Sequence, residues 1–294
     1  MVPVKSCAQR LQEQLGCIEQ KMMELLDASK IMRFRNDPSS GIVFLGSEYY
    51  WGETDDHQKR LQLDLMQLYR PWIEQVRLLL SQAPKEIISK IDETDRFLMS
   101  WLQKERSLDI PATTRQAKTI FSQRIQTFAE LLHMLEASKQ RRIIVVPDTN
   151  ALAICPEFSR YAEISGQTGF TVVIMPTVLS ELDQLKITAR DEEFRNRVKS
   201  VITRIKGLRN QGSLIDGVTV NREMTVRMEA REPDFRSTLS WLEPGNNDDR
   251  LIASVLELQR REPCALLILC TGDINLQNKA EMANIPFAEP PAGD

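Results

Sequence analysis

The chain has 294 residues, 42% hydrophobic and 27% charged, enough for two ordinary soluble domains each burying a core. Its net charge of −3 selects no polyanionic partner by itself. No apolar run approaches the ~18 residues of a membrane span, and the polar stretch after Met1 to Ser6 does not read as a signal peptide, so a cytoplasmic protein without membrane contact is expected.

Residues 1–140 read as an all-α helical bundle with antiparallel helices. Residues 8–33 and 57–82 are long and periodic; in the second, Leu61, Leu65, Leu68, Trp72, Val76 and Leu79 recur at spacings of three and four. Pro84 interrupts, and another helix is expected over 85–105. Pro111 with Thr113 and Thr114 signals the start of a last helix reaching about Lys139, with Phe121, Ile125, Phe128, Leu132 and Leu135 on one face. Between the first two helices, Gly41 to Gly46 followed by Tyr49, Tyr50 and Trp51 suggests a hairpin or ordered loop. The three aromatics offer surfaces for stacking on bases, although packing between helices is the more ordinary use.

At Arg141 the texture changes, and residues 141–294 read as a second domain. Ile143–Val146, Thr171–Met175 and Ala265–Cys270 are short, apolar on both faces and rich in β-branched residues, as buried parallel strands are. Helical stretches separate them at about 157–166, 177–186, 191–209 and 248–261. Alternation of this kind implies an α/β parallel sheet flanked by helices. Residues 217–229 alternate weakly and predict an edge strand or hairpin.

The chemistry of this half must come from carboxylates, because the chain's two histidines, His57 and His133, lie in the first half. The five cysteines show no metal-ligand spacing and read as reduced thiols. In open parallel sheets ligands bind beyond the carboxyl ends of the strands, and acids fall there. Asp148 follows the first strand, Asp273 follows the last, and Glu181 lies one turn into the helix after the second. Asp248 and Asp249 open a helix. Each has an ordinary explanation as a helix cap, turn residue or surface position. Gathered on one rim, such acids repel unless a cation neutralises them, and oxygen-only ligands select Mg²⁺ or Mn²⁺. Such an ion can activate water for phosphoryl displacement. Residues 186–209 carry eight basic and three acidic side chains, one footprint of a phosphate-binding face.

The order strand-Asp148-Thr149-Asn150, then Val178-x-x-Glu181-Leu182, then Asp248-Asp249-x-x-Ile252, then Leu269-x-Thr271-x-Asp273-x-x-Leu276-x-x-Lys279-Ala280 resembles the PIN-domain nucleases over about 141–288. The resemblance implies a Mg²⁺- or Mn²⁺-dependent phosphodiesterase, an endoribonuclease acting on RNA. Carried over, it assigns the catalytic and metal-binding acids to Asp148, Glu181, Asp249 and Asp273. Asn150, Thr271 and Asp248 are supporting residues; the spacing to Ile252 favours Asp249 over Asp248 for the central role. Many relatives carry Asp where this chain has Gly272. Phosphate contacts are expected from the helix at 191–209, through Arg195, Lys199 and Lys206 on one flank and Arg197 and Arg204 on the other.

Rival readings are a catalytically silent PIN-like module that binds RNA or protein, and a DNA-directed nuclease of the wider superfamily. A phosphotransferase of the haloacid-dehalogenase kind is disfavoured, because Asn150 stands where its second Asp belongs, and a phospho-receiver domain because no acidic pair ends the first strand. The helical half is left with substrate recognition, a protein partner, self-association into a homo-oligomer or regulation as roles. Its presence beside a nuclease domain suggests a regulated enzyme, with a toxin or defence effector as one setting.

Overall fold

A computed structural model describes residues 5–34, 48–106, 109–136, 142–221 and 223–292. The chain divides into two compact units, residues 8–137 and residues 1–7 with 138–294.

The smaller unit is helical. Its elements are α1 (Cys7–Ala28), β1 (Ile31–Arg33), β2 (Tyr49–Trp51), α2 (Asp56–Leu79), α3 (Lys85–Leu102) and α4 (Thr114–Glu136). Leu11, Leu65, Val76, Trp101, Phe128 and Leu132 are almost fully buried, so all four helices contribute to its core. Trp72 joins three of them: its Nε1 donates to Leu11 O at 2.8 Å, and its ring meets Phe128 edge-on at 5.1 Å. The apolar face expected on α2 holds at Leu65, Trp72, Val76 and Leu79. It fails at Leu68, which is exposed, because Tyr69 turns inward and its hydroxyl donates to Asp95.

The first helix stops at Ala28, short of the expected residue 33. Ala28 O accepts from Gln58 Nε2 at 2.5 Å, and Ile31–Arg33 pairs antiparallel with Tyr49–Trp51. The expected hairpin thus takes its partner strand from the end of the expected helix. Gly41 to Gly46 lie outside the described residues. Trp51 is buried and packs edge-on against Trp101 at 5.5 Å, so it serves the core of the helical unit. Among the described residues no helix is long and apolar enough to cross a membrane.

The larger unit runs β3 (Ile143–Pro147), α5 (Thr149–Ile154), a 3₁₀ turn (Phe158–Tyr161), α6 (Ala162–Ser165), β4 (Thr171–Ile174), α7 (Pro176–Thr188), α8 (Glu192–Arg209), β5 (Val218–Asn221), β6 (Met224–Met228), a 3₁₀ turn (Phe235–Ser237), α9 (Asn247–Arg261), β7 (Leu266–Cys270), α10 (Ile274–Met282) and β8 (Phe287–Ala288). Six strands form one sheet in the order β5-β6-β4-β3-β7-β8, parallel except where β5 meets β6. Within 217–229, β5 and β6 therefore pair antiparallel, with β5 at the edge and β6 beside β4. Sequence periodicity missed two short helices, α5 and α10, and the two-residue strand β8; all are too short to show a period.

Ile144, Val145, Val146, Val172, Val173 and Ile174 have essentially no exposed surface. Each such side chain contributes about 1.5–3 kcal/mol by burial, which explains the unbroken apolar runs. β3 lies between β4 and β7, so the chain leaves it on one side and returns on the other. That reversal opens a crevice at the carboxyl end of β3.

Candidate active site

Asp148 follows β3 at that crevice and caps α5: its Oδ1 accepts from Ala151 N at 2.6 Å. β3 and β7 run in register, with Pro147 opposite Cys270, so one step further brings Asp148 level with Thr271. Thr271, wholly buried, donates through Oγ1 to Asp148 Oδ2 at 2.5 Å and accepts from Asp273 N at 3.0 Å. Asp273 in turn caps α10, its Oδ1 accepting from Asn275 N at 2.7 Å. Both acids thus do serve as helix caps, and capping is what fixes them on the rim.

Glu181 reaches the same place from α7. Its Oε2 accepts from Thr149 Oγ1 at 2.5 Å and its Oε1 from Asn247 Nδ2 at 2.8 Å. Asp148, Glu181, Asp273 and Asp248 line one cavity of about 330 Å³, together with Asn150, Thr177 and Asn247. On α7 the lining residues Thr177, Glu181, Gln184 and Thr188 follow helical spacing, so one face of that helix forms one wall.

Burial pushes the Asp148 carboxyl above the usual aspartate range. Hydrogen bonds from Thr271 and Ala151 pull it back in part, while the charges of Glu181 and Asp273 push it up again. An added positive charge would relieve this. Among the described residues no three acidic, histidine or cysteine side chains are placed to hold one ion by themselves. The donors lining the cavity are nevertheless all oxygens, and Mg²⁺ usually takes one or two carboxylates and keeps its waters. Thr177 also lines the cavity, and its buried Oγ1 has no hydrogen-bond partner among the described residues. The residues present therefore fit a hydrated hard cation.

Residues 145–289 match the family model of the PIN domain. The second half of the chain is a PIN domain. Over 152 residues the chain is also 28% identical to Transcriptional protein SWT1 of Homo sapiens; the match covers 50% of this chain and 16% of that protein. PIN domains are generally nucleases and typically use divalent metals.

Within this PIN domain the two acids at the start of α9 are placed differently. Asp248 lines the cavity and Asp249 does not. Asp249 is 5% exposed; its Oδ2 accepts from Glu243 N at 3.1 Å and its Oδ1 lies 2.8 Å from Lys279 Nζ. Asp248 is 3.6 Å from the same ammonium. Burial disfavours the Lys279 charge, but the hydrogen bonds and charges of Asp249 and Asp248 hold its pKa above the ordinary lysine value. The exchange follows from helix geometry. Asn246 caps α9 by accepting from Asp248 N and Asp249 N, and the 100° step between the two residues sends one side chain to the rim and the next inward.

Thr177, Asn247 and the capping residue Asn246 were not foreseen. The available signal was position alone: polar residues in the first turns of helices that begin at the rim. Asn150 lines the cavity as expected. The five basic residues expected to contact RNA do not line it. Arg195 donates to Ala189 O at 3.2 Å, Arg197 to Glu193 at 2.9 Å, and Arg204 to Glu157.

Proposed function

We propose that this PIN domain is an endoribonuclease that hydrolyses RNA phosphodiester bonds with the help of Mg²⁺ or Mn²⁺. Asp148, Glu181, Asp248 and Asp273 would hold the ion, directly or through water. The support is one arrangement: four carboxylates line a single cavity at the carboxyl ends of β3, β4 and β7.

A bound divalent cation supplies activation of water and neutralisation of charge on the reacting phosphate. The chain's own residues prepare that chemistry. Thr271 and Ala151 N–H fix the Asp148 carboxylate, and Thr149 with Asn247 fixes Glu181. Such preorganisation keeps the oxygens in place before substrate arrives. Basic side chains of α8 would meet the strand's phosphates, contributing affinity without reading sequence. The helical unit would recognise substrate or a partner.

The test is cleavage of a mixed panel of single-stranded RNA and DNA by the full chain with Mg²⁺, Mn²⁺ or EDTA, beside Asp148→Asn and Glu181→Gln. RNA cleavage that needs metal and disappears in both variants is the expected result. Cleavage of DNA alone would make the protein a DNA nuclease. RNA binding without cleavage under any metal would make it a silent binding module.

A further inference from the structure

A second cavity, of about 320 Å³, opens where the end of α5 and the turn at 158–161 face α8. Three arginines line it, Arg160, Arg197 and Arg204, with two glutamates, Glu157 and Glu193. The lining residues thus hold one more arginine than glutamate, whereas the first cavity is lined by acids without a basic residue. Each arginine has a carboxylate partner: Arg204 gives Nη1 to Glu157, Arg197 gives Nη2 to Glu193 at 2.9 Å, and Arg160 Nε lies 3.7 Å from Glu163, which is outside the lining. Each arginine has a fork of five donors, shaped for the paired oxygens of a phosphate. Half-exposed ion pairs of this kind are weak and exchange readily for another anion.

The two cavities share an element. Asn150 lines the acidic one and Ile154 the basic one; both are exposed, and four residues apart they fall on one face of α5. Six residues make α5 about 9 Å long, which is the rise of two to three stacked nucleotides at about 3.4 Å each. A strand with one phosphate among the acids and its chain running along this face brings a later phosphate to the arginines. On the opposite flank of α8, Arg195 is tied to Ala189 O, and Lys199 and Lys206 line neither cavity.

Building on the nuclease function proposed above, we infer that Arg160, Arg197 and Arg204 form a subsite for a backbone phosphate of the substrate RNA, a few linkages from the bond cut. The subsite fixes the strand's path across α5 and is indifferent to base identity.

The test is binding of the full chain to a fluorescent 12-nucleotide oligouridine in EDTA, titrated with salt. Wild type is compared with Arg197→Gln/Arg204→Gln, Arg160→Gln, the charge-keeping Arg197→Lys/Arg204→Lys, and Lys199→Gln/Lys206→Gln from the other flank. The glutamine variants of the subsite should bind several-fold more weakly at about 0.1 M salt. Their slope of log affinity against log salt should fall by about 0.7 for each lost phosphate contact. The lysine variant should keep the slope. An unchanged slope in the arginine variants, or an equal loss in the Lys199/Lys206 pair, would overturn the subsite. Metal-dependent cleavage, run in parallel, separates the two proposals. Cleaving wild type with unaltered slopes removes the subsite alone; wild type that neither cleaves nor binds RNA removes both.

Discussion

Thr271 donates its hydroxyl to Asp148 Oδ2 at 2.5 Å, and the two residues stand level at the ends of neighbouring parallel strands. A buried carboxylate is thereby held by a buried hydroxyl, and the same hydroxyl accepts from the backbone that carries Asp273. Thr271→Val keeps the shape and removes the donor, leaving a buried acceptor unsatisfied at a cost of about 1–3 kcal/mol. Denaturant unfolding should show that loss, and Thr271→Ser should recover most of it. A Thr271→Val protein as stable as wild type would mean that the hydrogen bond is not a structural tie.

The Asp148 carboxyl, raised by burial, makes stability depend on pH in a definite sense. Its pKa is higher folded than unfolded, so the native state holds the proton more tightly. Stability therefore declines as pH rises from about the ordinary value of 3.8 through the folded value, and stays reduced above it. Asp148→Asn removes the buried charge. Its melting temperature should exceed that of wild type at neutral pH, and the difference should shrink towards pH 4. Parallel melting curves across this range would contradict the assignment.

The same burial predicts a response to metal. A cation bound among these carboxylates stabilises the folded chain by mass action, by about 2.7 kcal/mol at a hundred times its dissociation constant. Calorimetric melting with Mn²⁺ or Mg²⁺ should move wild type upward and leave Asp148→Asn and Glu181→Gln nearly unmoved. An equal shift in all three would place the ion elsewhere.

Asp248 and Asp249 should separate function from stability. Asp248 lines the cavity, so Asp248→Asn should impair metal binding and cleavage with little effect on unfolding. Asp249 anchors Lys279 and the Glu243 N–H. Asp249→Asn should cost about 1–3 kcal/mol of stability. Urea midpoints and metal titrations on both variants decide the matter, and the reverse pattern would restore Asp249 to the metal.

Gly272 leaves room for a further acid. A Cβ there would come no closer than 3.8 Å to its nearest neighbour, Pro290 Cδ. Gly272→Asp should stay within about 0.5 kcal/mol of wild type, as exposed substitutions usually do. It should also bind Mn²⁺ more tightly in a calorimetric titration. A folded variant with weaker Mn²⁺ binding would show that residue 272 faces away from the ion.

The sequence by itself determined the α/β class of the second half. Strands buried on both faces need unbroken β-branched runs, and helices between them leave a 3.6-residue period. It also located Asp148, Glu181 and Asp273, because each follows a strand at an interval set by local chain geometry. The tertiary structure decided the rest. Which of two adjacent aspartates faces the cavity depends on a capping asparagine and on Lys279 thirty residues later, and no local pattern records that pairing. Thr177 and Asn247 join the site only through the packing of α7 and α9 against the sheet rim. Leu68 and Tyr69 exchange inside and outside because Asp95, on another helix, offers the tyrosine hydroxyl a partner. Period and propensity act over a few residues, whereas these choices are made by groups that meet only when the chain has folded.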